Sequence, residues 1–87
     1  MKEKLIKQYV DKISPNDIDS FARKHGTTLN NDEKNIIYNY IKRDWHTIIY
    51  GNPTGIFNEI KSKVSTSTYK KIEELFKEYK NKFRNYL

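Results

Sequence analysis

The stretch that decides the fold is the last quarter of the chain, residues 65–87, STSTYKKIEELFKEYKNKFRNYL. Its apolar and aromatic residues recur at alternating spacings of three and four, at Tyr69, Ile72, Phe76, Tyr79, Phe83 and Tyr86. This spacing places them along one side of an amphipathic helix. Ser65 is a good N-cap, and Val64 before it can form a hydrophobic staple with Tyr69. The sequence therefore predicts a long C-terminal helix against which other helices pack.

Two shorter helices are predicted before Gly26. The first covers residues 2–12, and its apolar face consists of Leu5, Ile6, Tyr9, Val10 and then Ile13. The second begins after Ser14, a good N-cap, with Pro15 at the first helical position, where the missing N–H costs no hydrogen bond. Gly26 is expected to end this helix, because glycine readily adopts the left-handed conformation that follows a helix.

A third helix is predicted from Asn30, whose side chain can cap the helix while Glu33 reaches back to it. Its apolar residues are Ile36, Ile37, Tyr40 and Ile41. Asp44 interrupts this pattern, and an apolar pattern resumes as far as Tyr50. Two alternatives are open: the helix continues to Tyr50, or it bends at Asp44.

The fourth helix is predicted over residues 53–63, with Asn52 as its cap and Pro53 at its start. Its apolar residues are Ile56, Phe57 and Ile60. Together these patterns predict an all-α fold, a compact bundle of four or five short helices with a longer C-terminal helix packed across the others. The length of 87 residues indicates a single helical domain over residues 1–87, with a small core.

The composition of the chain argues against disulfide-rich, secreted and membrane proteins. The chain has no cysteine, which argues against a disulfide framework or a thiolate zinc site. The N-terminal residues carry scattered charges rather than an apolar run, and no stretch approaches the length of a membrane span. We therefore predict a cytoplasmic protein that does not act at a membrane.

Residues 13–37, ISPNDIDSFARKHGTTLNNDEKNII, resemble the start of the YqfT-like family of short uncharacterised proteins from Gram-positive bacteria. The resemblance covers about residues 12–80. It rests on apolar and capping positions, namely Ile13-Ser14-Pro15, Asp17, Ile18, Phe21-Ala22, Leu29, Ile56-Phe57, Ser65 with Thr68, and Ile72 with Leu75-Phe76. The resemblance implies a small helical fold and carries no activity with it.

The sequence offers no set of catalytic or metal-binding residues. The two histidines, His25 and His46, follow no pattern that pairs a nucleophile with a base. The acidic pairs Asp17/Asp19 and Asp32/Glu33 lie in first turns of helices, where capping and the helix dipole explain them. No metal-ligand spacing and no glycine-rich phosphate loop is present. We therefore predict no catalytic, cofactor-binding or metal-binding residues, and no enzyme activity.

Positive charge is concentrated at the C-terminal end. The chain carries +6 overall, and residues 61–87 hold eight Lys and Arg against three Asp and Glu. Lys70, Lys77 and Arg84 recur every seven residues, with Lys80 beside them, over about 21 Å of helix. Such a face can bind nucleic acid or an acidic partner. Against this, Glu73 and Glu78 lie four residues before Lys77 and Lys82, which favours ordinary surface ion pairs.

Residues 21–41 are compatible with a helix–loop–helix that resembles the SAP motif. They do not fit a helix-turn-helix motif, because positions 32 and 35, which should be apolar in that motif, are Asp and Asn.

For a protein partner, the candidate contact residues are the aromatic side chains of Trp45, Tyr79 and Tyr86. We therefore predict a non-enzymatic interaction or adaptor domain that binds another protein, as a monomer or homodimer. The alternative is a nucleic-acid-associated accessory protein that uses the basic face of its last helix.

Overall fold

Five helices run through residues 2–83, the part of the chain that this computed structural model describes. They are α1 (Lys2–Lys12), α2 (Pro15–Lys24), α3 (Asn31–Tyr50), α4 (Thr54–Lys63) and α5 (Thr66–Phe83). The part of the chain that the structure describes contains no strand. The prediction of an all-α helical bundle is confirmed.

Both ends of α2 form as predicted. The Ser14 hydroxyl accepts a hydrogen bond from the Asp17 N–H at 3.3 Å, and the Asp17 carboxylate accepts one from the Ser14 N–H at 2.8 Å. This reciprocal pair is a capping box, so Asp17 does more than interact with the helix dipole. At the other end Gly26 has a φ of 77°, and the Thr27 N–H donates to the Ala22 carbonyl at 2.8 Å. These features define a glycine-terminated helix end.

The two alternatives for α3 both hold in part. A second capping box, made by Asn30 and Glu33, starts the helix as predicted. The helix then continues to Tyr50, but Asp44 has φ −118° and ψ 17°, outside the helical region. α3 is therefore a helix of 20 residues with a kink at Asp44.

α4 begins one residue later than predicted. Pro53 takes the N-cap position, so the prediction that Asn52 caps this helix is wrong. The Asn52 side chain accepts a hydrogen bond from the Thr54 N–H at 3.1 Å, in the turn that precedes the helix. The predicted cap of α5 is confirmed, because the Ser65 hydroxyl accepts from the Thr68 N–H at 3.2 Å. Between these helices, Val64 is extended, with φ −130° and ψ 166°.

The core draws residues from all five helices. α3 contacts α1, α2 and α5, while α4 packs on α5. The residues that form the core are Ile6, Val10, Ile13, Ile18, Phe21, Ala22, Leu29, Ile37, Tyr40, Ile41, Ile48, Ile49, Ile60, Ile72, Leu75, Phe76, Tyr79 and Phe83. The sequence assigned the role of packing platform to the C-terminal helix, and the structure shows that α3 shares it.

The apolar side of α5 is buried much as its spacing predicts. Ile72, Phe76, Tyr79 and Phe83 are buried, and Tyr69 is half-buried. Leu75 also joins the core, which widens the buried side because both α3 and α4 pack on this helix. Tyr86 lies outside the described residues.

The predicted apolar face of α1 requires one correction. Leu5 is 54% exposed, whereas Ile6, Val10 and Ile13 are buried. α1 therefore packs on the bundle through Ile6 and Val10, with Tyr9 half-buried against Phe83 at a ring distance of 5.1 Å, and Leu5 lies beyond this contact.

Candidate functional site

The predicted basic face of α5 carries acids as well as lysines. Lys70, Lys77 and Lys80 are exposed. Glu74 is also exposed and lies between Lys70 and Lys77, at helical spacings of four and three. The predicted pair with Glu73 forms weakly, because the Lys77 ammonium lies 3.9 Å from that carboxylate. Arg84 lies outside the described residues.

The second predicted ion pair on α5, between Glu78 and Lys82, does not form. The Glu78 carboxylate instead lies 3.5 Å from Nδ1 of His25. The Lys82 ammonium donates to the Tyr9 hydroxyl at 2.9 Å and lies 4.4 Å from the centre of that ring. Cross-helix partners thus replace the local pair that the sequence favoured, since the ammonium gains both a hydrogen bond and a cation–π contact.

Two of the three predicted contact aromatics, Trp45 and Tyr79, lie within the described residues, and they differ in exposure. Trp45 is half-buried against the core and makes edge contacts with His46 and Tyr50, at ring distances of 5.3 and 6.4 Å. Tyr79 is 3% exposed, so the prediction that it offers a contact surface is wrong. It stacks on Phe21 at 4.0 Å, because α2 covers this part of α5.

The histidines lie on separate surfaces. His46 Nε2 lies 2.8 Å from the Glu3 carboxylate of α1, and His25 packs against Phe21 with ring centres 4.5 Å apart. Within residues 2–83, no group of three or more His, Cys, Asp or Glu side chains has the arrangement that could hold a metal ion. Each histidine therefore lies beside a single carboxylate in this part of the chain, at 2.8 Å for Glu3 and 3.5 Å for Glu78.

The structure does form a groove that the sequence did not reveal. Two cavities, of about 270 Å³ and about 510 Å³, lie between α3 and the junction of α4 with α5. Four residues line both cavities, and they are Ile36, Asn39, Lys63 and Val64. We call the continuous surface of these two cavities the α3 groove. Trp45 does not line it.

Helical spacing explains how α3 forms one wall of this groove. Asp32, Ile36, Asn39 and Arg43 follow one another at spacings of four, three and four, so they lie along one side of the helix. They span about 16 Å, from the Asp32 end to the Arg43 end. The extended conformation of Val64 brings the chain that leaves α4 to the opposite wall. The sequence could have indicated only the α3 wall, as a mostly polar row on one side of the helix, because the opposite wall comes from the distant residues around Val64.

At the Arg43 end of the groove, two cations lie around an aromatic ring, and each is paired with a carboxylate: Arg43 with Asp44 at 2.8 Å and Lys63 with Glu59. The Tyr40 hydroxyl donates to the Glu59 carboxylate at 2.8 Å, and the Lys63 ammonium donates to the same oxygen at 3.1 Å. The Arg43 guanidinium lies 4.9 Å from the centre of the Tyr40 ring. The hydrogen bonds from Tyr40 and Lys63 lower the pKa of Glu59, and the bond to Glu59 raises the pKa of Lys63. Both groups are therefore charged at neutral pH.

The Asp32 end of the groove contains a buried carboxylate. Glu33 is 4% exposed and accepts hydrogen bonds from the Asn30 N–H at 3.0 Å, the Thr68 hydroxyl at 2.7 Å and the Lys71 ammonium at 3.3 Å. Burial alone raises the pKa of Glu33, but these bonds outweigh it and leave the pKa below its ordinary value. Glu33 thus joins the start of α3 to the start of α5 as a charged group.

Two asparagine amides line the middle of the groove. Asn35 and Asn39 are four residues apart on α3 and are exposed. Neither side chain hydrogen-bonds to another group within residues 2–83. Each amide offers one acceptor and two donor hydrogens, so the wall of the groove carries unused hydrogen-bonding capacity.

Comparison with known families gives one finding. Residues 1–80 match the family described as protein of unknown function DUF2624. The chain belongs to this family. The family is one of unknown function, so membership supplies no activity and no site.

Searches of curated proteins and of solved structures find no match to this member of the DUF2624 family. Between residues 2 and 83, no helix combines the length and the apolar character that crossing a membrane requires. The functional assignment must therefore come from the geometry of the site.

Proposed function

We propose that this DUF2624 protein is a non-enzymatic interaction domain that binds a segment of another protein in the α3 groove. One observation carries the proposal: the groove combines apolar side chains, such as Ile36 and Val64, with the unpaired amides of Asn35 and Asn39. Protein-recognition surfaces combine an apolar centre with polar groups that fix the partner's orientation.

The surroundings of the histidines support a non-enzymatic role. His25 lies beside Glu78 and His46 beside Glu3, on different helices. Each contact involves a partly exposed carboxylate, and surface pairs of this kind are common in proteins without catalytic function. An adaptor needs neither a nucleophile nor a metal, only a surface of fixed shape.

A photo-crosslinking experiment in cells tests this proposal. A photo-crosslinking amino acid replaces Asn39 in the groove, and the matched control carries it at Asn58, which is exposed on α4 and does not line either cavity. We expect a defined protein adduct from position 39 that position 58 does not give. Equal labelling from both positions, or no protein adduct from position 39, would overturn the proposal.

The second candidate is an accessory protein that contacts nucleic acid through α5. The observation that favours it is the exposure of Lys70, Lys77 and Lys80 on one side of the helix. The exposed Glu74 within that face argues against this candidate, because its negative charge repels phosphate groups. A mobility-shift titration at low salt decides, because backbone binding must weaken steeply as salt rises and again in the Lys70→Glu/Lys77→Glu variant. Absence of any shift at low salt removes this candidate.

Two finer assignments belong with these proposals. We propose that the DUF2624 family and the YqfT-like family are the same group, which is supported by the overlap between the family match over residues 1–80 and the resemblance over residues 12–80. We also propose a cytoplasmic location, which the absence of cysteine supports. Fluorescence microscopy of the tagged chain in its native host tests the location, and an extracellular or membrane signal would contradict it.

A further inference from the structure

We propose that α1 acts as a clamp that fixes the direction of the last part of α3, residues 45–50. Three observations carry this inference: the non-helical backbone of Asp44, the polar contacts that α3 makes with both ends of α1, and the apolar attachment of α1 between those ends. The inference goes beyond the proposed function, because it does not depend on what occupies the α3 groove.

The backbone of α3 leaves the helical conformation at Asp44. This residue has φ −118° and ψ 17°, whereas ψ is about −42° in an α-helix. Its carboxylate accepts a hydrogen bond from Nε of Arg43 at 2.8 Å, and a bond to the preceding residue does not fix the position of the residues that follow. A rotation about the Asp44 backbone redirects residues 45–50 and leaves the helical hydrogen bonds before it intact. Contacts with other helices must therefore fix this direction.

Polar side chains of α3 contact α1 on both sides of the kink. Before it, the Lys42 ammonium donates to the carbonyls of residues 10 and 11, at 3.0 and 2.9 Å. These carbonyls lie in the last turn of α1, where a cation also meets the negative end of the helix dipole. After the kink, Nε2 of His46 lies 2.8 Å from the carboxylate of Glu3, in the first turn of α1. α1 therefore runs antiparallel to this part of α3 and spans the kink.

Apolar burial holds α1 on the bundle between these polar contacts. Ile6 and Val10 are 0% and 2% exposed. Exposed ion pairs contribute little to stability, whereas burial of aliphatic side chains contributes strongly, so the polar contacts mainly align α1 along α3. α1 is also attached to α5, because the Tyr9 hydroxyl accepts a hydrogen bond from Lys82 at 2.9 Å. α1 is thus anchored outside residues 45–50, as a clamp on that segment requires.

Attachment of α1 and the direction of residues 45–50 form one coupled equilibrium. While α1 is attached, its contact with His46 keeps the segment in one direction. Once α1 is released, rotation at Asp44 gives the segment several directions. Such coupling is reciprocal, so a change that displaces residues 45–50 weakens the attachment of α1 by the same factor. Anything that removes α1 from the bundle therefore also changes the shape of α3.

Distances between two spin labels, measured by double electron–electron resonance on the full chain, test the inference. The chain has no cysteine, so introduced cysteines are its only thiols. Asn31→Cys/Thr47→Cys places labels at two exposed positions on opposite sides of the kink, about 24 Å apart along a straight helix. Gln8→Pro releases α1, because an interior proline removes a helical hydrogen bond and clashes with the preceding turn. Gln8 is exposed, and Gln8→Ala is the matched control.

We expect one narrow distance distribution in the labelled parent and in Gln8→Ala. Gln8→Pro should widen the distribution about twofold or more, because residues 45–50 then populate several directions. Lys42→Met/His46→Gln should widen it less, since the apolar attachment of α1 remains. Lys34→Met/His25→Gln is the control of identical composition and should not widen it. Lys34 is half-buried on α3 as Lys42 is, and His25 lies beside a carboxylate as His46 does.

An unchanged distribution in a folded Gln8→Pro chain would overturn the inference. Equal widening by Lys42→Met/His46→Gln and by Lys34→Met/His25→Gln would also overturn it, because a general loss of stability would then explain the effect. If circular dichroism shows that Gln8→Pro unfolds the whole chain, these two double variants decide: widening in the first alone supports the clamp, and no widening overturns it. None of these results changes the crosslinking expected at the α3 groove, so the proposed function is tested separately.

Discussion

A buried polar group lies near each end of α5, and within residues 2–83 only the one at the start of the helix has hydrogen-bond partners. At the start of α5 the carboxylate of Glu33, from α3, is 4% exposed and accepts hydrogen bonds from Asn30, Thr68 and Lys71. In the second half of α5, Tyr79 is 3% exposed, and its hydroxyl has no hydrogen-bond partner within residues 2–83. Burial raises the pKa of Tyr79, so its hydroxyl stays neutral.

The difference shows that two kinds of interaction attach one helix to the bundle. The start of α5 is attached by a network of hydrogen bonds to the charged Glu33 carboxylate. These bonds form only when α3 and α5 keep this alignment. The second half is attached by aromatic packing, such as the stacking of Phe21 on Tyr79 at 4.0 Å. Substitutions that remove hydrogen bonds at the start of α5 should therefore lower the free energy of unfolding strongly. Removal of the Tyr79 hydroxyl in the second half of the helix should change it little.

The largest effect is expected from Glu33→Ala. Removing the carboxylate leaves the Asn30 N–H and the Thr68 hydroxyl without an acceptor and opens a cavity between α3 and α5. The free energy of unfolding should fall by about 3 kcal/mol. Urea denaturation followed by circular dichroism measures the change.

The matched control for Glu33→Ala is Asp17→Ala, which removes the same partner from the other capping box. Asp17 is exposed, and within the described chain its carboxylate accepts hydrogen bonds only from Ser14. Its loss should cost about 1 kcal/mol. Equal costs for the two variants would contradict a structural role for Glu33 beyond helix capping.

Thr68→Val should have the next largest effect. Valine keeps the shape of threonine but removes the hydroxyl that donates to Glu33 at 2.7 Å. We expect a loss of about 1.5 kcal/mol, because a buried carboxylate loses one charge-assisted bond. Thr66→Val, at an exposed position in the same turn, serves as the control in the same denaturation experiment. A loss no larger than that of the control would show that Thr68 does not hold the two helices together.

Acidification should have a weaker effect, because a protonated Glu33 keeps part of its hydrogen bonding. The pKa of Glu33 in the folded state lies below the ordinary value of 4.5, so its ionised form contributes stability that is fully present above that pH. This contribution is lost as the pH falls through the lowered pKa. The difference in stability between the wild type and Glu33→Gln should therefore shrink below pH 4.5. A difference that stays constant in urea titrations across this range would contradict the lowered pKa.

The smallest effect, with the opposite sign, is expected from Tyr79→Phe. The phenylalanine keeps the stacking on Phe21 and removes a buried hydroxyl without a partner, so stability should stay equal or rise by up to about 1 kcal/mol. Tyr40→Phe is the control, since it removes a hydroxyl that donates to Glu59 and should cost about 1 kcal/mol. A clear loss in Tyr79→Phe would show that an ordered water pairs with the hydroxyl.

Local signals in the sequence predict the helix boundaries. Ser14, Asn30 and Ser65 cap their helices as expected, and Gly26 ends α2, because each of these features depends on residues within one turn. The kink at Asp44 was also visible as a break in the apolar pattern. The all-α fold follows from these same local patterns.

Contacts between distant residues were not predictable in this way. Glu33 appeared to be a capping residue, and its partners Thr68 and Lys71 lie 35 and 38 residues further along the chain. The α3 groove needs Ile36 from one helix and Val64 from the connection between two others. Tyr79 was expected to contact a partner, and only the packing of α2 shows that it is buried. A single sequence gives the periodicity of each helix but not which faces meet.

The kink at Asp44 divides α3 into two helical rods, residues 31–43 and 45–50, and we expect them to unfold separately. The rod before Asp44 carries the groove and the Glu33 network, while the rod after it carries Trp45 and contacts α1 through His46 and Glu3 at 2.8 Å. Proteins open locally in contiguous cooperative units, and we expect the kink to set the boundary between two such units. In native-state hydrogen exchange, the amides of residues 45–50 should therefore form their own protection class. A protease or a chaperone that acts on this protein would then meet the second rod while the first is still folded.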